Sequence, residues 1–390
     1  MRTILITGPG GSGRTTVAAA TALNAAREGT RTLVLSADRT DTLGAALGVR
    51  TGLAPAEAGD NLTTWRPDAT EHFRADLTAF QDRATTALDL LGATRLDAEE
   101  VTPLPGAEEL ALLRALRDAA TSDTYDLLVV DLPPTPQALA LLSLPEELRR
   151  YLRRLLPAER QAARALRPVL GRLAGIPMPA EWLYETAARW DLELAAVEAV
   201  VEDRATTVRL VAEPGPAGTD AVRAAGTALA LRGLSVDALV ANRVLPGATN
   251  DTWLAALAAQ QRKGLDEWQE TYDVHEVPHR GHDPRGAHDL AALPVPGVVN
   301  ETPPPVEWPL EDRLADEGVL VWHIPLPGAI RDELDLIRRG DELVVTVGQF
   351  RRIMPLPSAL RRCTVDGAAL REGELRIRFA PDPGLWPRTR

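Results

Sequence analysis

The chain has 390 residues, a length that predicts two or three domains with sizeable cores. Its 45% hydrophobic and 25% charged residues are ordinary for a globular protein, and its net charge of −12 argues against a general nucleic-acid-binding protein. A single cysteine excludes an internal disulfide, and the absence of a long apolar stretch or a signal peptide predicts a cytoplasmic protein without a transmembrane segment.

Residues 1–293 alternate apolar strands with helical segments, which predicts an α/β fold with a mostly parallel, doubly wound sheet. The predicted strands are short apolar runs, as in a sheet buried on both faces: 3–7, 31–37, 126–131, 208–212, 236–242 and 274–278. The predicted helices are 15–28, 70–92, 107–120, 219–232 and 249–270. Residues 144–205 carry no strand signal and are predicted to be a helical insertion.

The first predicted strand runs into a glycine-rich segment, Gly-Pro-Gly-Gly-Ser-Gly-Arg-Thr-Thr, at residues 8–16. Gly8, Gly13, Arg14 and Thr15 have the spacing of a phosphate-binding loop in which arginine replaces the usual lysine. The segment lies between an apolar strand and an alanine-rich helix, which is the context that this motif requires. We therefore predict nucleotide binding; a glycine-rich turn that binds nothing is the alternative.

The expected chemistry of this loop follows from its backbone. Its glycines allow amide N–H groups to turn inward around an anion, and the following helix adds its positive end. The Thr15 hydroxyl is a candidate Mg²⁺ ligand, and the Arg14 guanidinium stands where an ammonium would contact the β- and γ-phosphates. The predicted nucleotide-binding residues of the loop are Gly8, Gly10, Gly11, Ser12, Gly13, Arg14, Thr15 and Thr16.

Polar side chains also end three later strands. Asp38 lies where a carboxylate could orient or deprotonate an attacking water. It could instead cap the next helix, although Asp41 fits that role as well or better. Asp131 is either an acid of the Mg²⁺ shell or an ordinary strand-end acid, and Asn242 could hydrogen-bond a purine edge.

The character of the sequence changes after residue 293. Residues 294–318 are rich in proline and acids and are predicted to be an extended linker. Residues 319–383 are predicted to form a small all-β sandwich. Its strand candidates are 319–322, 334–337, 343–347 and 375–379, with turn signals at 339–341 and 372–373.

The ordered set of motifs in residues 1–293 resembles the ArsA-type ATPases, which include the arsenite-pump ATPase and the ATPase that targets tail-anchored membrane proteins. The motifs are the loop at 8–16, Ser36-Ala37-Asp38, Asp131 to Thr135 with Leu141 to Pro145, Thr207 to Val211, and Val240 to Pro246. The resemblance implies a P-loop NTPase that binds ATP or ADP with Mg²⁺. It also implies a homodimer, or a heterodimer with a related ATPase chain.

The same resemblance implies roles for individual residues. Thr15 would hold Mg²⁺ with Asp131 in its outer shell, Asp38 and Arg14 would be catalytic, and Asn242 would read adenine. The helical insertion would form an apolar groove for a protein client.

Two departures from the family pattern leave hydrolysis open. The phosphate-loop lysine is Arg14, which is planar and forked, and the signature lysine is Pro9, which has neither charge nor N–H. One hypothesis is therefore an ATPase that couples slow hydrolysis to client binding. The other is a nucleotide-binding pseudo-ATPase or a chaperone-like holdase. Such a chain could be paired with a homologous chain that is able to hydrolyse ATP. Arsenite is disfavoured as a ligand because the soft thiolates that it needs are missing.

Two further segments have alternative interpretations. Residues 324–329, 340–345 and 373–377, with Arg351 and Arg352, resemble the α-crystallin domain of small heat-shock proteins; an unrelated β-sandwich is the alternative. Residues 144–173 carry eight arginines against three glutamates, a local balance of +5. Such a basic amphipathic segment suits a membrane surface, an acidic partner or a client helix, or else it is a solvated face.

Overall fold

The computed structural model describes residues 1–38, 40–83, 85, 94–156, 181–298, 304 and 306–386. An eight-stranded sheet with the order β3-β4-β2-β5-β1-β6-β7-β8 organises the amino-terminal part of the chain. All neighbouring strands are parallel except the edge pair β3 and β4. The strands are β1 (Arg2–Thr7), β2 (Thr32–Ser36), β3 (Ala56–Gly59), β4 (Leu62–Trp65), β5 (Leu127–Asp131), β6 (Thr206–Ala212), β7 (Val236–Val244) and β8 (Val274–Pro278). The predicted doubly wound α/β fold is confirmed.

Helices join these strands. They are α1 (Arg14–Arg27), α2 (Thr42–Leu47), α3 (Ala69–Arg83), α4 (Ala107–Thr121), α5 (Thr135–Leu155), α6 (Glu181–Val201), α7 (Pro216–Leu231), α8 (Thr252–Gln269) and α9 (Gly286–Ala291). None of the described helices combines the length and apolar character that crossing a bilayer requires.

The sheet separates two hydrophobic cores, one on each face. Side chains of a strand alternate between faces, so Leu5 of β1 packs into one core while Ile4 and Ile6 pack into the other. The buried face of α1 consists largely of alanines, which let the helix lie close to the sheet. This packing fixes the position of the loop that connects β1 with α1.

Some predicted boundaries differ from the structure. The short strands β3 and β4 were not predicted, because their sequences, Ala-Glu-Ala-Gly and Leu-Thr-Thr-Trp, are too short and too polar to resemble the buried runs. The first helix of the insertion is the continuation of α5, which begins at Thr135 rather than near residue 144. Residues 157–180 and most of 84–93 lie outside the described part, and with them the centre of the predicted insertion and the end of the helix predicted at 70–92.

The carboxyl-terminal part is all-β, as predicted. It contains β9 (Leu310–Arg313), β10 (Val319–Pro325), β11 (Leu334–Arg339), β12 (Glu342–Val347), β13 (Phe350–Pro355), β14 (Cys363–Arg371) and β15 (Glu374–Pro381). These strands form two antiparallel sheets, β14-β15-β10-β9 and β11-β12-β13. Strand β9 lies within the range predicted as linker and pairs with β10, while β13 and β14 were not predicted because of their polar, arginine- or glycine-containing sequences.

The two parts of the chain pack directly against each other. Leu231 at the end of α7 belongs to the core of the carboxyl-terminal part. Phe350 of β13 packs against that core and also against the core on the face of the central sheet that contains Leu5. The Thr227 hydroxyl donates a hydrogen bond to the carbonyl of Pro327. The carboxyl-terminal domain therefore rests on α7 and α5.

A candidate nucleotide site at the carboxyl ends of the central strands

The glycine-rich loop between β1 and α1 requires glycine at two positions for steric reasons. A Cβ atom on Gly8 would lie 1.9 Å from the carbonyl oxygen of Val211, and one on Gly13 would lie 2.2 Å from the amide nitrogen of Asn242. Gly13 also has a φ of +92°. By contrast, a Cβ on Gly10 would meet no atom within 4 Å, so this side of the loop is open to a ligand.

Asp131 lies at the end of β5, directly beside the start of α1. Its Oδ2 accepts hydrogen bonds from the hydroxyls of Thr15, at 2.9 Å, and Ser36, at 3.1 Å. Its Oδ1 is buried without a hydrogen-bond partner. Burial raises the pKa of Asp131 to about 6, although the hydroxyl of Thr15 and the charge of Arg14 oppose that shift.

Arg14 connects the loop to the segment that follows β5. Its Nη1 donates a hydrogen bond to the carbonyl oxygen of Leu132. Burial lowers the pKa of Arg14 from its usual value, while the carboxylates of Asp131 and Asp38 oppose the shift. An arginine remains protonated even so, and the positive charge of Arg14 acts on both Asp131 and Asp38.

Two further hydrogen bonds join the same segments. The hydroxyl of Thr7 donates to the carbonyl of Pro133 at 2.9 Å, and the amide of Thr135 donates to the carbonyl of Gly8 at 3.2 Å. A change in the backbone at 132–135 would therefore alter hydrogen bonds to the glycine-rich loop and to the start of α5.

Asp38 lies just beyond β2, with its carboxylate held by two threonines. Oδ1 accepts from the amide and hydroxyl of Thr40, at 2.9 and 2.8 Å, and Oδ2 accepts from the hydroxyl of Thr42 at 2.8 Å. Burial alone would raise the pKa of Asp38, but these hydrogen bonds and the charge of Arg14 outweigh it and lower the pKa. Asp41, not Asp38, is the N-cap of α2, since its side chain accepts from the amide of Gly44.

Asn242, at the end region of β7, contacts the loop from the opposite side. Its Nδ2 donates to the carbonyl of Ser12 at 2.7 Å, so the amide supports the loop. The neighbouring Arg243, which the sequence analysis did not select, donates to the carbonyl of Gly11 at 3.0 Å. Its signal in the sequence was a cationic residue directly after the predicted strand 236–242, although β7 itself continues to Val244. A cavity beside these residues is lined by Gly13, Thr16, Asn242, Arg243, His279 and His282, among others.

The chemistry of these residues fits a hydrated Mg²⁺ ion and a phosphate chain. Among the buried polar atoms of the described residues that have no hydrogen-bond partner, three lie at this site: Ser12 Oγ in the loop, Asp131 Oδ1 at the end of β5 and Thr135 Oγ1 at the start of α5. Unpartnered buried polar groups are rare in folded proteins and commonly mark a ligand or water. Helix α1 also begins without a side-chain cap, which leaves its first amides available to an anion.

Comparison with known proteins decides the family. The family model described as anion-transporting ATPase matches residues 1–293, and the model described as the HSP20-like domain found in ArsA matches residues 317–379. The chain belongs to the ArsA family of ATPases. Its carboxyl-terminal domain is the HSP20-like, that is α-crystallin-like, domain that the sequence motifs predicted.

Three relatives illustrate the breadth of this ArsA family. An uncharacterized protein of Streptomyces coelicolor is 73% identical, and the alignment covers 100% of both chains. A protein of Mycobacterium tuberculosis is 31% identical over 99% of this chain and 97% of its own. A putative arsenical pump-driving ATPase of Aquifex aeolicus is 27% identical over 97% of this chain and 99% of its own. All three alignments therefore extend through the HSP20-like domain.

Proposed function

We propose that the protein binds Mg-ATP at residues 8–16 and couples slow hydrolysis to the binding of a protein client or partner. The observation that carries this proposal is Asp131, a buried carboxylate with one oxygen bonded to Thr15 and the other unpartnered beside the glycine-rich loop. Such an arrangement leaves a place for a hydrated cation between the loop and β5.

The loop and the residues around it have separate proposed roles. The loop amides and the start of α1 bind the phosphates, the Thr15 hydroxyl holds Mg²⁺, and Asp131 accepts hydrogen bonds from the water shell of the ion. Bound Mg²⁺ supplies charge neutralisation for phosphoryl transfer. Asn242 supports the loop through its hydrogen bond to the Ser12 carbonyl. Together with the cavity that His279 lines, it forms the proposed adenine site.

Asp38 is the proposed residue that orients the attacking water. Its lowered pKa keeps the carboxylate ionised at neutral pH, which a hydrogen-bond acceptor for water requires. Its oxygens are already engaged by Thr40 and Thr42, so these threonines fix its direction. Rearrangement of residues 38–42 would therefore change the position of the water.

Arg14 gives a physical reason for slow turnover. The guanidinium is committed to the Leu132 carbonyl, and it must leave this bond to reach a γ-phosphate. Losing or delaying one transition-state cation lowers phosphoryl-transfer rates by orders of magnitude. The same movement would release the segment that leads into α5, which links hydrolysis to the helical insertion.

Exposed apolar side chains on the insertion support an apolar client. Leu155 of α5 and Leu192 of α6 are 77% and 70% exposed, which leaves apolar surface on both helices open to an apolar segment. We propose that the working form is a homodimer or a heterodimer with a related ATPase, with these helices forming the client surface.

A nucleotide-binding pseudo-ATPase is the second candidate, and two observations favour it. Pro9 has no cation to offer to a nucleotide across a dimer, and the Arg14 guanidinium is tied back to Leu132. In that case the chain would bind nucleotide or hold a client without turnover, and a competent homologous chain would supply the missing lysine.

Single-turnover ATP hydrolysis, with nucleotide affinity measured by calorimetry, separates these candidates. We expect Asp38→Asn to reduce the rate at least tenfold while leaving ADP affinity within twofold, because the side chain acts on water. Arg14→Ala is expected to weaken ATP binding and abolish turnover. Asp335→Asn, on the exposed face of β11 in the carboxyl-terminal domain, is the matched control and leaves both unchanged.

The outcomes are distinct. Equal rates for wild type and Asp38→Asn would remove the catalytic role of Asp38. Binding without turnover, restored by a lysine-bearing homologous chain, would establish the pseudo-ATPase. Failure to detect uptake of ATP or ADP with Mg²⁺ present would remove both candidates.

A further inference from the structure

A cavity of about 370 Å³ lies where α5 meets the three-stranded sheet of the HSP20-like domain. We call it the arginine cavity, because six guanidinium-bearing residues line it: Arg150, Arg154, Arg232, Arg339, Arg351 and Arg352. The other lining residues include Glu146, Glu147 and Tyr151. This concentration of positive charge is unusual in a chain whose net charge is −12.

The carboxylates nearby do not balance these arginines. Glu342 accepts hydrogen bonds from both Arg150 and Arg154, at 3.0–3.1 Å. Glu146 approaches Arg352 to 3.3 Å and Arg232 to 3.8 Å, Glu147 approaches Arg232 to 4.0 Å, and Glu202 approaches Arg352 to 4.0 Å. Among the described residues, four glutamates thus face six arginines, an excess of about two positive charges at neutral pH.

Two of the arginines have no ionic partner among the described residues. Arg339 and Arg351 are exposed, and neither side chain makes a hydrogen bond or ion pair with any residue in the described ranges. The rest of the sequence is a poor source of partners, because the residues outside those ranges contain three acids against seven arginines.

We propose that the arginine cavity binds a small anion that carries at least two phosphate groups. Guanidinium forks pair bidentately with phosphate oxygens, and an excess of about two positive charges attracts a diphosphate at neutral pH. The volume falls within the range of pockets that hold small ligands. The half-exposed ring of Tyr151 at its wall offers a surface for an organic moiety on the phosphate.

The arginine cavity is separate from the phosphate loop and does not depend on the proposed function. Arg150 lies fifteen residues into α5, about 22 Å from its start at 1.5 Å per residue. The cavity also spans the junction, since α5 and α7 supply one wall and β11 to β13 supply the other. A bound diphosphate would hold the HSP20-like domain on the helix that begins beside the loop.

Calorimetric titration of the full chain with sodium pyrophosphate, in Mg²⁺-free buffer, tests this site. We expect wild type to bind, and Arg339→Ser/Arg351→Ser to bind at least tenfold more weakly, because two bidentate donors are lost. Arg331→Ser/Arg371→Ser removes the same charge from exposed positions outside the cavity and is expected to bind as wild type does. Arg14→Ala is expected to retain the site, which separates it from the phosphate loop.

Pyrophosphate is also expected to raise the melting temperature of wild type but not of the cavity variant, which shows in the same experiment that the variant folds. Absence of binding to wild type, equal affinity in Arg339→Ser/Arg351→Ser, or loss confined to Arg14→Ala would each overturn the proposal. Tighter binding of citrate or of a hexaglutamate peptide would overturn the assignment to phosphate.

Discussion

Among individual residues, Arg209 shows how far a buried charge can organise the chain. It lies in β6 of the central sheet and is only 2% exposed. Its guanidinium donates to Asp237 at 2.9 Å and to the carbonyls of Pro296 and Gly297 at 2.8 and 3.2 Å. It therefore fastens the start of the proline-rich segment to the sheet. Position 209 was predicted only as part of a strand, since no sequence pattern marks a charge as buried and paired.

We expect Arg209→Met to lower the free energy of unfolding by about 3 kcal/mol, because the Asp237 carboxylate, 11% exposed, loses its closer cation and keeps only Arg2 at 3.8 Å. The double change Arg209→Met/Asp237→Leu is expected to recover part of this loss, since the poorly paired carboxylate is removed and Arg2 keeps its hydrogen bonds to Ala205 and Thr207. Urea denaturation of the three proteins measures both values. A double variant less stable than Arg209→Met would contradict the explanation.

Asp131 predicts a pH dependence of stability. Its folded-state pKa of about 6 lies above the value near 3.9 of an exposed aspartate, so the folded protein holds this proton more tightly than the unfolded chain does. Its contribution to stability is therefore present below about pH 4 and is lost as pH rises to about 6. Asp131→Asn removes that loss and should stabilise the ligand-free protein by about 2 kcal/mol at pH 7 but not at pH 4.

Urea denaturation at the two pH values, without Mg²⁺ or nucleotide, checks this expectation. Asp126→Asn is the control with the opposite sign, because a hydrogen bond from Arg31 lowers the pKa of Asp126. The contribution of Asp126 to stability is therefore lost as the pH falls, whereas that of Asp131 is lost as the pH rises. A stabilisation by Asp131→Asn that is the same at both pH values would show that proton binding is not its cause.

At the level of helices, the N-caps of α2 and α8 allow an effect on stability to be distinguished from an effect on turnover. The side chain of Asp41 accepts from the amide of Gly44 at the start of α2, and Asp251 accepts from Trp253 and Leu254 at the start of α8. Both are aspartate caps, although Asp41 also accepts hydrogen bonds from the amide and hydroxyl of Thr51, and only α2 follows Asp38 in the chain. A comparison of the two therefore isolates the position of α2.

We expect Asp251→Ala to cost about 1 kcal/mol of stability, the usual value of a lost N-cap, and Asp41→Ala to cost more because it also loses the hydrogen bonds from Thr51. Only Asp41→Ala is expected to reduce the single-turnover rate, because a frayed α2 releases Thr42 from the carboxylate of Asp38. Thermal unfolding and hydrolysis on the same samples provide the two readings. Equal rates for the two variants would argue against a role for residues 38–42 in turnover.

For the whole molecule, ion pairs and hydrogen bonds join the ATPase part to the HSP20-like domain. Glu342 on β12 joins Arg150 and Arg154 of α5, and Arg352 on β13 contacts Glu146 of α5 and the ring of Trp308. The hydrogen bond from Arg150 lowers the pKa of Glu342, so this link persists at mildly acidic pH.

Glu342→Gln is expected to loosen this junction by about 1 kcal/mol, the upper range for a partly exposed ion pair. The consequence is faster cleavage by a non-specific protease between the two parts, where residues 294–309 connect them. Glu317→Gln, which breaks exposed pairs with Arg313 and Arg378 within the domain, is the control and should leave cleavage unchanged. Equal cleavage of both variants and wild type would contradict a stabilising role for Glu342.

Local sequence was sufficient for the central strands, the helices packed on them and the glycine-rich loop. Buried parallel strands are continuous apolar runs, and the loop needs glycines at fixed spacing, so both leave marks along the chain. The family motifs likewise allowed the HSP20-like domain to be predicted. The edge strands β3, β13 and β14 left no such marks, because their polar residues face solvent.

Contacts between distant segments depended on the fold. The bond from Arg14 to Leu132, the support of the loop by Asn242 and Arg243, and the bond from Arg209 to Pro296 join residues 87 or more positions apart. The arginine cavity likewise combines α5 with strands almost 200 residues later in the chain. Short-range patterns record which residues can form an element, whereas pairing of charges and burial of polar atoms depend on the neighbours that tertiary packing brings to them.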